Sequence, residues 1–181
     1  IRDRRRAVKE AMRDMMSGRQ MNRLLQGDVG SGKTAVAAAL VYSAAKNSMQ
    51  SALMAPTEVL AEQHYKTFLR LFEGCGINVE LLTGSDTAAQ KRRKKEALKA
   101  GKIDLLIGTH AIIQSDVEFK FLALVITDEQ HRFGVEQRNA LGEKGENPHL
   151  YVMSATPIPR TLALIIYGEL DLSLIHISEP T

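Results

Sequence analysis

The chain predicts an α/β fold in which a mostly parallel sheet carries helices on both faces. Three observations predict it. Short apolar runs alternate with longer amphipathic ones along most of the 181 residues, the pattern of strand–helix–strand units. One junction between such runs is the glycine-rich stretch Gly27-Asp28-Val29-Gly30-Ser31-Gly32-Lys33-Thr34. The polar clusters follow directly on predicted strands, and ligands in open parallel sheets bind beyond the C-terminal strand ends.

In order, Arg4 to Met16 predicts a charged helix with Ala7, Val8, Ala11, Met12 and Met15 on one side, ended by Ser17-Gly18-Arg19. Asn22 to Gln26 is short and apolar enough for a buried strand. After the glycine stretch, Ala35 to Ala45 predicts an Ala-rich helix with Val36, Leu40, Val41 and Ala44 near helical spacing. Ser51 to Ala55 is a second strand, broken by Pro56-Thr57-Glu58. That break opens a helix whose stripe is Ala61, Tyr65, Phe68, Leu69 and Phe72, stopped by Gly74 and Gly76. Asn78 to Thr83 alternates and predicts a third strand, ending in Thr83-Gly84-Ser85. Asp86 leads a strongly basic helix to Ala100. Ile103 to Ile107 is a fourth strand, ended by Gly108-Thr109-His110. Phe121 to Ile126 is a fifth, and its nearly unbroken apolar run predicts cover on both faces. A polar helix over 135–141, a loop over 142–148, a sixth strand from Leu150 to Met153 and a last helix over 161–167 complete the reading.

The stretch from Gly27 to Thr34 fits G-x-x-x-x-G-K-[ST], the phosphate-binding loop of nucleoside triphosphatases. Its glycines let the backbone curl until its N–H groups face phosphate oxygens. The helix that follows turns its positive end to the anion. Lys33 brings a cation to the β- and γ-phosphates, and Thr34 offers a hydroxyl to Mg²⁺. Such a loop needs a carboxylate partner for the metal, and an apolar strand ending in an acid supplies one. Asp128 fits, and the adjacent Glu129 is placed to orient or deprotonate the attacking water.

Composition sets the bounds. A hydrophobic share of 44% and a charged share of 25% are ordinary for one globular domain. A net charge of +3 does not by itself demand a nucleic-acid partner. Two basic clusters, Arg2 with Arg4 to Arg6 and Lys91 to Lys95, fit either phosphate contacts or solvated helix faces. The single cysteine, Cys75, excludes an internal disulfide and fits a reducing cytoplasm. The longest small or apolar run, near Ala35 to Ala45, is too short to span a bilayer. Because the chain begins at Ile1, it is expected to be a piece of something longer.

Several of these stretches resemble superfamily 2 helicases. Asp128-Glu129-Gln130-His131 resembles their DExH box, Ala55 to Ala61 their motif Ia, and Ser154-Ala155-Thr156 their motif III. The wording of Leu24 to Thr34, Ile107 to Ala111, Asp128 to Val135 and Met153 to Leu164 is similar to the RecG family. The Mfd-type transcription-repair coupling translocases are the second reading, but they usually have Glu where Gln130 stands and tend to differ at Ser31.

The resemblance implies a RecA-like P-loop domain over residues 1–173, the first motor domain of an ATP-dependent DNA helicase. It implies that Gly27 to Thr34 hold ATP, that Thr34 and Asp128 hold Mg²⁺, and that Glu129 activates water. Gln130, His131, Ser154 and Thr156 would couple the nucleotide state to DNA. Pro56, Thr57, Thr83, Gly84, Thr109 and His110 would lie along the DNA backbone, although Thr57 is also a good helix cap and Thr109-His110 also reads as a plain turn. Implied partners are branched or duplex DNA, a wedge domain and a second motor domain. A monomer in the bacterial cytoplasm, without membrane contact, is expected.

Two departures stand out. Arg4 occupies the position where such helicases carry an adenine-reading Gln, and residues 174–181 leave the family pattern and are expected to be foreign to it. A P-loop kinase, a phosphate-binding module without hydrolysis and an inactive fragment remain as other classes. The kinase leaves Thr57 and Ser154-Ala155-Thr156 without a shared purpose, and the module has no need of Glu129.

Overall fold

A computed structural model of the chain describes residues 2–16, 22–27, 32–128, 140, 143–145, 148–154 and 175–177. Its strands are β1 (Asn22–Gly27), β2 (Gln50–Met54), β3 (Val79–Leu82), β4 (Leu105–Gly108), β5 (Leu122–Asp128), β6 (His149–Ser154) and β7 (Ile175–Ile177). Its helices are α1 (Arg2–Met16), α2 (Lys33–Lys46), α3 (Glu58–Leu71) and α4 (Ala88–Lys99), with a 3₁₀ turn at His110–Ile113. The strands form one sheet in the order β3-β4-β2-β5-β6-β1-β7, and each pairing is parallel. The parallel sheet is the one expected from the alternation of elements, and it has the RecA-like form that the resemblance implied. The expected helices over 135–141 and 161–167 lie outside the described residues. The backbone of β7, within the stretch set apart in the sequence, pairs with β1 from Leu25↔Ile175 to Gly27↔Ile177.

Alternation along the strands sends successive side chains to opposite faces, and two apolar layers result. Leu53, Ile107, Leu124, Ile126 and Tyr151 pack with residues of α1, α2 and α3. Ala52, Met54, Leu106 and Val125 pack with Leu98 of α4 and with Ile112 and Val117. The run Leu122 to Thr127 is buried throughout, as a strand covered on both faces requires. On α2 the predicted Val36, Leu40, Val41 and Ala44 are all buried.

The stripe on α3 is narrower than its sequence spacing suggests. Ala61, Phe68 and Phe72 are buried, but Leu69 is 43% exposed. At about 100° per residue, Leu69 falls roughly 80° from Ala61 on the flank of the helix, whereas Phe68 and Phe72 fall within about 20° of it. The start of α4 also differs from expectation. Thr87, not Asp86, caps it: Thr87 Oγ1 accepts from Gln90 N–H and Gln90 Oε1 accepts from Thr87 N–H, a capping box. Asp86 instead stiffens the preceding turn, accepting from Thr83 N–H at 3.3 Å and from Lys94 Nζ at 2.9 Å.

Gly108 shows why β4 must end in glycine. A Cβ there would lie 2.4 Å from Leu82 O and 2.6 Å from Ile112 Cγ2. At the opposite end of the sheet, Gln50 is 3% exposed. Its Nε2 donates to Leu98 O and Ile103 O, both at 2.9 Å, and its Oε1 accepts from Phe121 N–H at 3.0 Å. One side chain thus satisfies three main-chain groups where α4, β4 and β5 meet.

Candidate nucleotide and nucleic-acid site

All strands run the same way, so the predicted functional segments gather on one rim. Register orders them. Leu82 pairs with Gly108, Gly108 with Met54, and Met54 with Thr127. The next residues, Thr83, Thr109, Ala55 and Asp128, therefore form a row. Asp128 pairs in turn with Met153, and Met153 with Leu25, two residues before Gly27. Across the rim the segments stand as Thr83-Gly84, Thr109-His110, Pro56-Thr57, Asp128, Ser154 and Gly27. Segments expected to meet nucleic acid lie on one side of Asp128, and the strand that leads into the expected phosphate loop lies on the other, with Ser154 between. Two strand spacings separate Asp128 from the strand of Gly27, about 10 Å. The crossing of the two halves of the site is thus one strand wide.

On the phosphate side, α2 opens on Gly32 with φ 85° and ψ 20°, in the left-handed region that glycine enters without a Cβ penalty. Gly32 offers no side-chain cap to the helix, so the first-turn N–H groups face the rim as an anion site does. Lys33 and Thr34, both half-buried, stand in that first turn. Asp28, Val29, Gly30 and Ser31 lie outside the described residues, as do Glu129, Gln130, His131 and Thr156. A cavity of about 300 Å³ adjoins this end of α2, lined by Arg5, Val8 and Lys9 of α1 and by Ala35 and Val36.

Asp128 closes β5 and is bonded: His64 Nε2, on α3, lies 2.6 Å from Asp128 Oδ2. The His64 and Asp128 side chains are 15% and 20% exposed. The His64 ring also packs 6.5 Å from Phe68, four residues on. Sequence reasoning missed His64. The available signal was its place on the inner flank of a helix that starts at the rim.

On the other side, Thr57 caps α3, with Oγ1 accepting from Leu60 N–H at 3.2 Å. Capping leaves the Thr57 side chain at the surface, so the two readings of this residue are compatible. Glu58 Oε2 accepts from Ser85 Oγ at 2.8 Å, which ties the start of α3 to the Thr83-Gly84-Ser85 turn. Thr83 itself is 4% exposed, so Gly84 presents the surface of that pair. Thr109 makes no side-chain cap bond to the 3₁₀ turn, and His110 is exposed.

The basic cluster on α4 is divided. Lys94 Nζ donates to Leu81 O and Asp86 and lies 3.6 Å from Glu80, and Lys95 pairs with Asp116. Arg92 and Arg93 stay exposed, so they are the cluster's candidates for phosphate contact. Burial raises the Tyr65 phenol above its ordinary 10.0; Glu80 adds to the rise and Lys94 opposes it. No described helix is long and apolar enough to cross a membrane.

The donor set suits a nucleotide with Mg²⁺. One carboxylate and one hydroxyl are hard oxygen donors, and Mg²⁺ takes few of these from protein, leaving the remainder to phosphates and water.

Comparison with known proteins agrees. The DEAD/DEAH box helicase family matches residues 5–165. The ATP-dependent DNA helicase RecG of Bacillus subtilis is 57% identical over 170 residues, covering 94% of this chain and 25% of the relative. RecG of Aquifex aeolicus is 58% identical over 172 residues, covering 94% of this chain and 22% of the relative. The chain thus spans about a quarter of the length of these curated relatives. A solved structure of RecG bound to a three-way DNA junction is 46% identical with a TM-score of 0.85, covering all of this chain and 24% of that one. The DNA-bound helicase MrfA, at 18% identity and a TM-score of 0.71 over 94% of this chain and 27% of that one, shares the fold. None of these relatives is a transcription-repair coupling translocase, and that second reading gains no support from them. The chain belongs to the DEAD/DEAH box helicase family, within which its likeness is to the RecG helicases.

Proposed function

We propose that this chain is the first motor domain of an ATP-dependent DNA helicase that remodels branched DNA such as forks and Holliday junctions. The observation that carries the reading is the rim order, with Asp128 and Ser154 standing between the phosphate strand and the segments assigned to DNA. Support comes also from the RecG relative solved on a three-way junction. In this reading Gly27 to Thr34 cradle the phosphates of ATP, and Thr34 with Asp128 hold Mg²⁺. The bound metal would neutralise charge on the phosphates during transfer. Glu129 orients or deprotonates water. Gln130, His131, Ser154 and Thr156 link that site to DNA held along Pro56, Thr57, Gly84, Thr109 and His110, with Thr83 supporting from below. The cavity between α1 and α2 takes the base against Val8, Ala35 and Val36, beside cationic Arg5 and Lys9 rather than a reading Gln.

The domain ends near Ser173 in this reading, with 174–181 foreign to the family. The parent acts as a monomer in the bacterial cytoplasm. A wedge domain and a second motor domain complete it, and the second motor supplies an arginine finger worth roughly 10³–10⁵ in rate in related systems. The test is binding of a fluorescent ATP analogue to the chain. Mg²⁺ is expected to tighten binding and Lys33→Ala to abolish it, while hydrolysis by the chain alone stays slow. Nucleotide binding that ignores both Mg²⁺ and Lys33 would refute the site, and robust DNA-stimulated turnover by the chain alone would refute the need for a second motor.

A further inference from the structure

We propose that His64 is a positioning residue for the metal-binding carboxylate: its Nε2 holds Asp128 Oδ2 and so fixes the orientation in which Asp128 meets Mg²⁺. This inference rests on the nucleotide–metal reading above. A carboxylate that serves a metal has no proton to give, so the hydrogen in the 2.6 Å contact belongs to His64 Nε2. An acid at the end of a strand otherwise turns about two side-chain torsions, and each lost rotamer must be fixed by a neighbour. His64 is such a neighbour. At 15% and 20% exposure, the two side chains are covered enough that water is a poor substitute for the bond.

The imidazole is itself held. It comes from the second turn of α3, a helix anchored by buried Ala61 and Phe68, and its ring rests against Phe68. Those apolar contacts keep α3 on the sheet with or without the hydrogen bond to Asp128. The bond therefore adds little to holding the helix, and its consequence falls on the carboxylate. With one lone pair of Oδ2 engaged, the carboxylate is held in one orientation and Oδ1 is its less encumbered oxygen. Outer-shell partners of ligating carboxylates are typically worth about 10–100-fold in metal affinity.

The experiment compares His64→Gln, whose amide nitrogen sits where Nε2 does, with His64→Phe, which keeps the ring against Phe68 and removes the donor. Each purified chain is titrated with a fluorescent ATP analogue, with and without Mg²⁺. Mn²⁺ binding to the nucleotide complex is followed separately by electron paramagnetic resonance, and folding is checked by thermal melting. The expected result is that His64→Phe still folds and melts cooperatively, at a somewhat lower temperature because a covered carboxylate loses its donor, and binds metal-free nucleotide as the parent does. It should lose about tenfold in the Mg²⁺-dependent gain and in Mn²⁺ affinity, while His64→Gln stays within about threefold of the parent. Equal metal affinity in His64→Phe and the parent, or equal losses in both variants, would overturn the assignment while leaving the nucleotide site standing. A parent chain that shows no Mg²⁺-dependent binding would remove the nucleotide–metal reading and this inference with it.

Discussion

Replacing Gln50 by Leu is expected to unfold the chain at markedly lower temperature without changing nucleotide affinity in the folded fraction. Leucine keeps much of the volume and removes every polar atom. Two main-chain groups then lose their partner, Ile103 O and Phe121 N–H, while Leu98 O keeps the bond from Gly101 N–H at 3.1 Å. Each buried group left unsatisfied costs about 1–3 kcal/mol, which sums to roughly 2–6 kcal/mol. Phe121 is 51% exposed, so its N–H can recover water, and the lower end, about 2 kcal/mol, is the expected loss. For a chain of this size that lowers Tm by roughly 4–8 °C.

Gln50 lies at the base of the sheet, and β5 runs its seven residues from there to Asp128, about 20 Å. Nucleotide binding should therefore be unchanged below the transition. The assay pairs urea and thermal unfolding with titration of a fluorescent ATP analogue at 15 °C. A stability change under about 0.5 kcal/mol would refute the claim that one amide holds three main-chain groups, since ordinary surface substitutions fall in that range.

Two further outcomes follow from the same geometry. Thr57→Asp keeps a good helix cap but sets a negative charge at the rim, so stability should match the parent while DNA affinity falls; Thr57→Ala should instead lose about 1 kcal/mol of stability. DNA affinity in Thr57→Asp equal to the parent's would remove Thr57 from the DNA path. The Asp116 carboxyl is held below its ordinary 3.8 chiefly by the hydrogen bond from Lys95, with burial opposing. Its folded-state pKa is depressed, so the contribution to stability is present above the ordinary value and is lost as pH falls through the lowered one. Nuclear magnetic resonance titration of Asp116 should show the depression, and Lys95→Met should return it toward 3.8; an unmoved midpoint would contradict the pairing.

How much was legible in the sequence depended on how local the signal was. The buried run of β5 and the apolar positions of α2 follow from spacing along a single element, and they were readable. The cap at Thr57 was also readable, because it reaches only three residues to Leu60. Boundaries one residue off, as at Asp86 and Thr87, arise because Thr and Asp are both good caps and only the Gln90 partner decides between them. Sequence spacing puts Leu69 inside, one turn from Tyr65 and eight residues from Ala61, yet the sheet touches a narrower strip of α3 than that spacing covers.

The residue types and their order were enough to set out the proposed chemistry: a stretch that fits the phosphate-loop pattern, a strand ending in acid, and parallel strands whose ends carry the polar motifs. Those are demands on neighbouring residues, set by backbone torsions and helical or strand periodicity. Only the tertiary structure decided the order of the segments along the rim, the division of the α4 basic cluster into paired lysines and open arginines, and the pairing of His64 with Asp128 across 64 residues of chain. The reason is that strand order and long-range side-chain partners depend on how the chain crosses over the sheet, and no local pattern carries that choice.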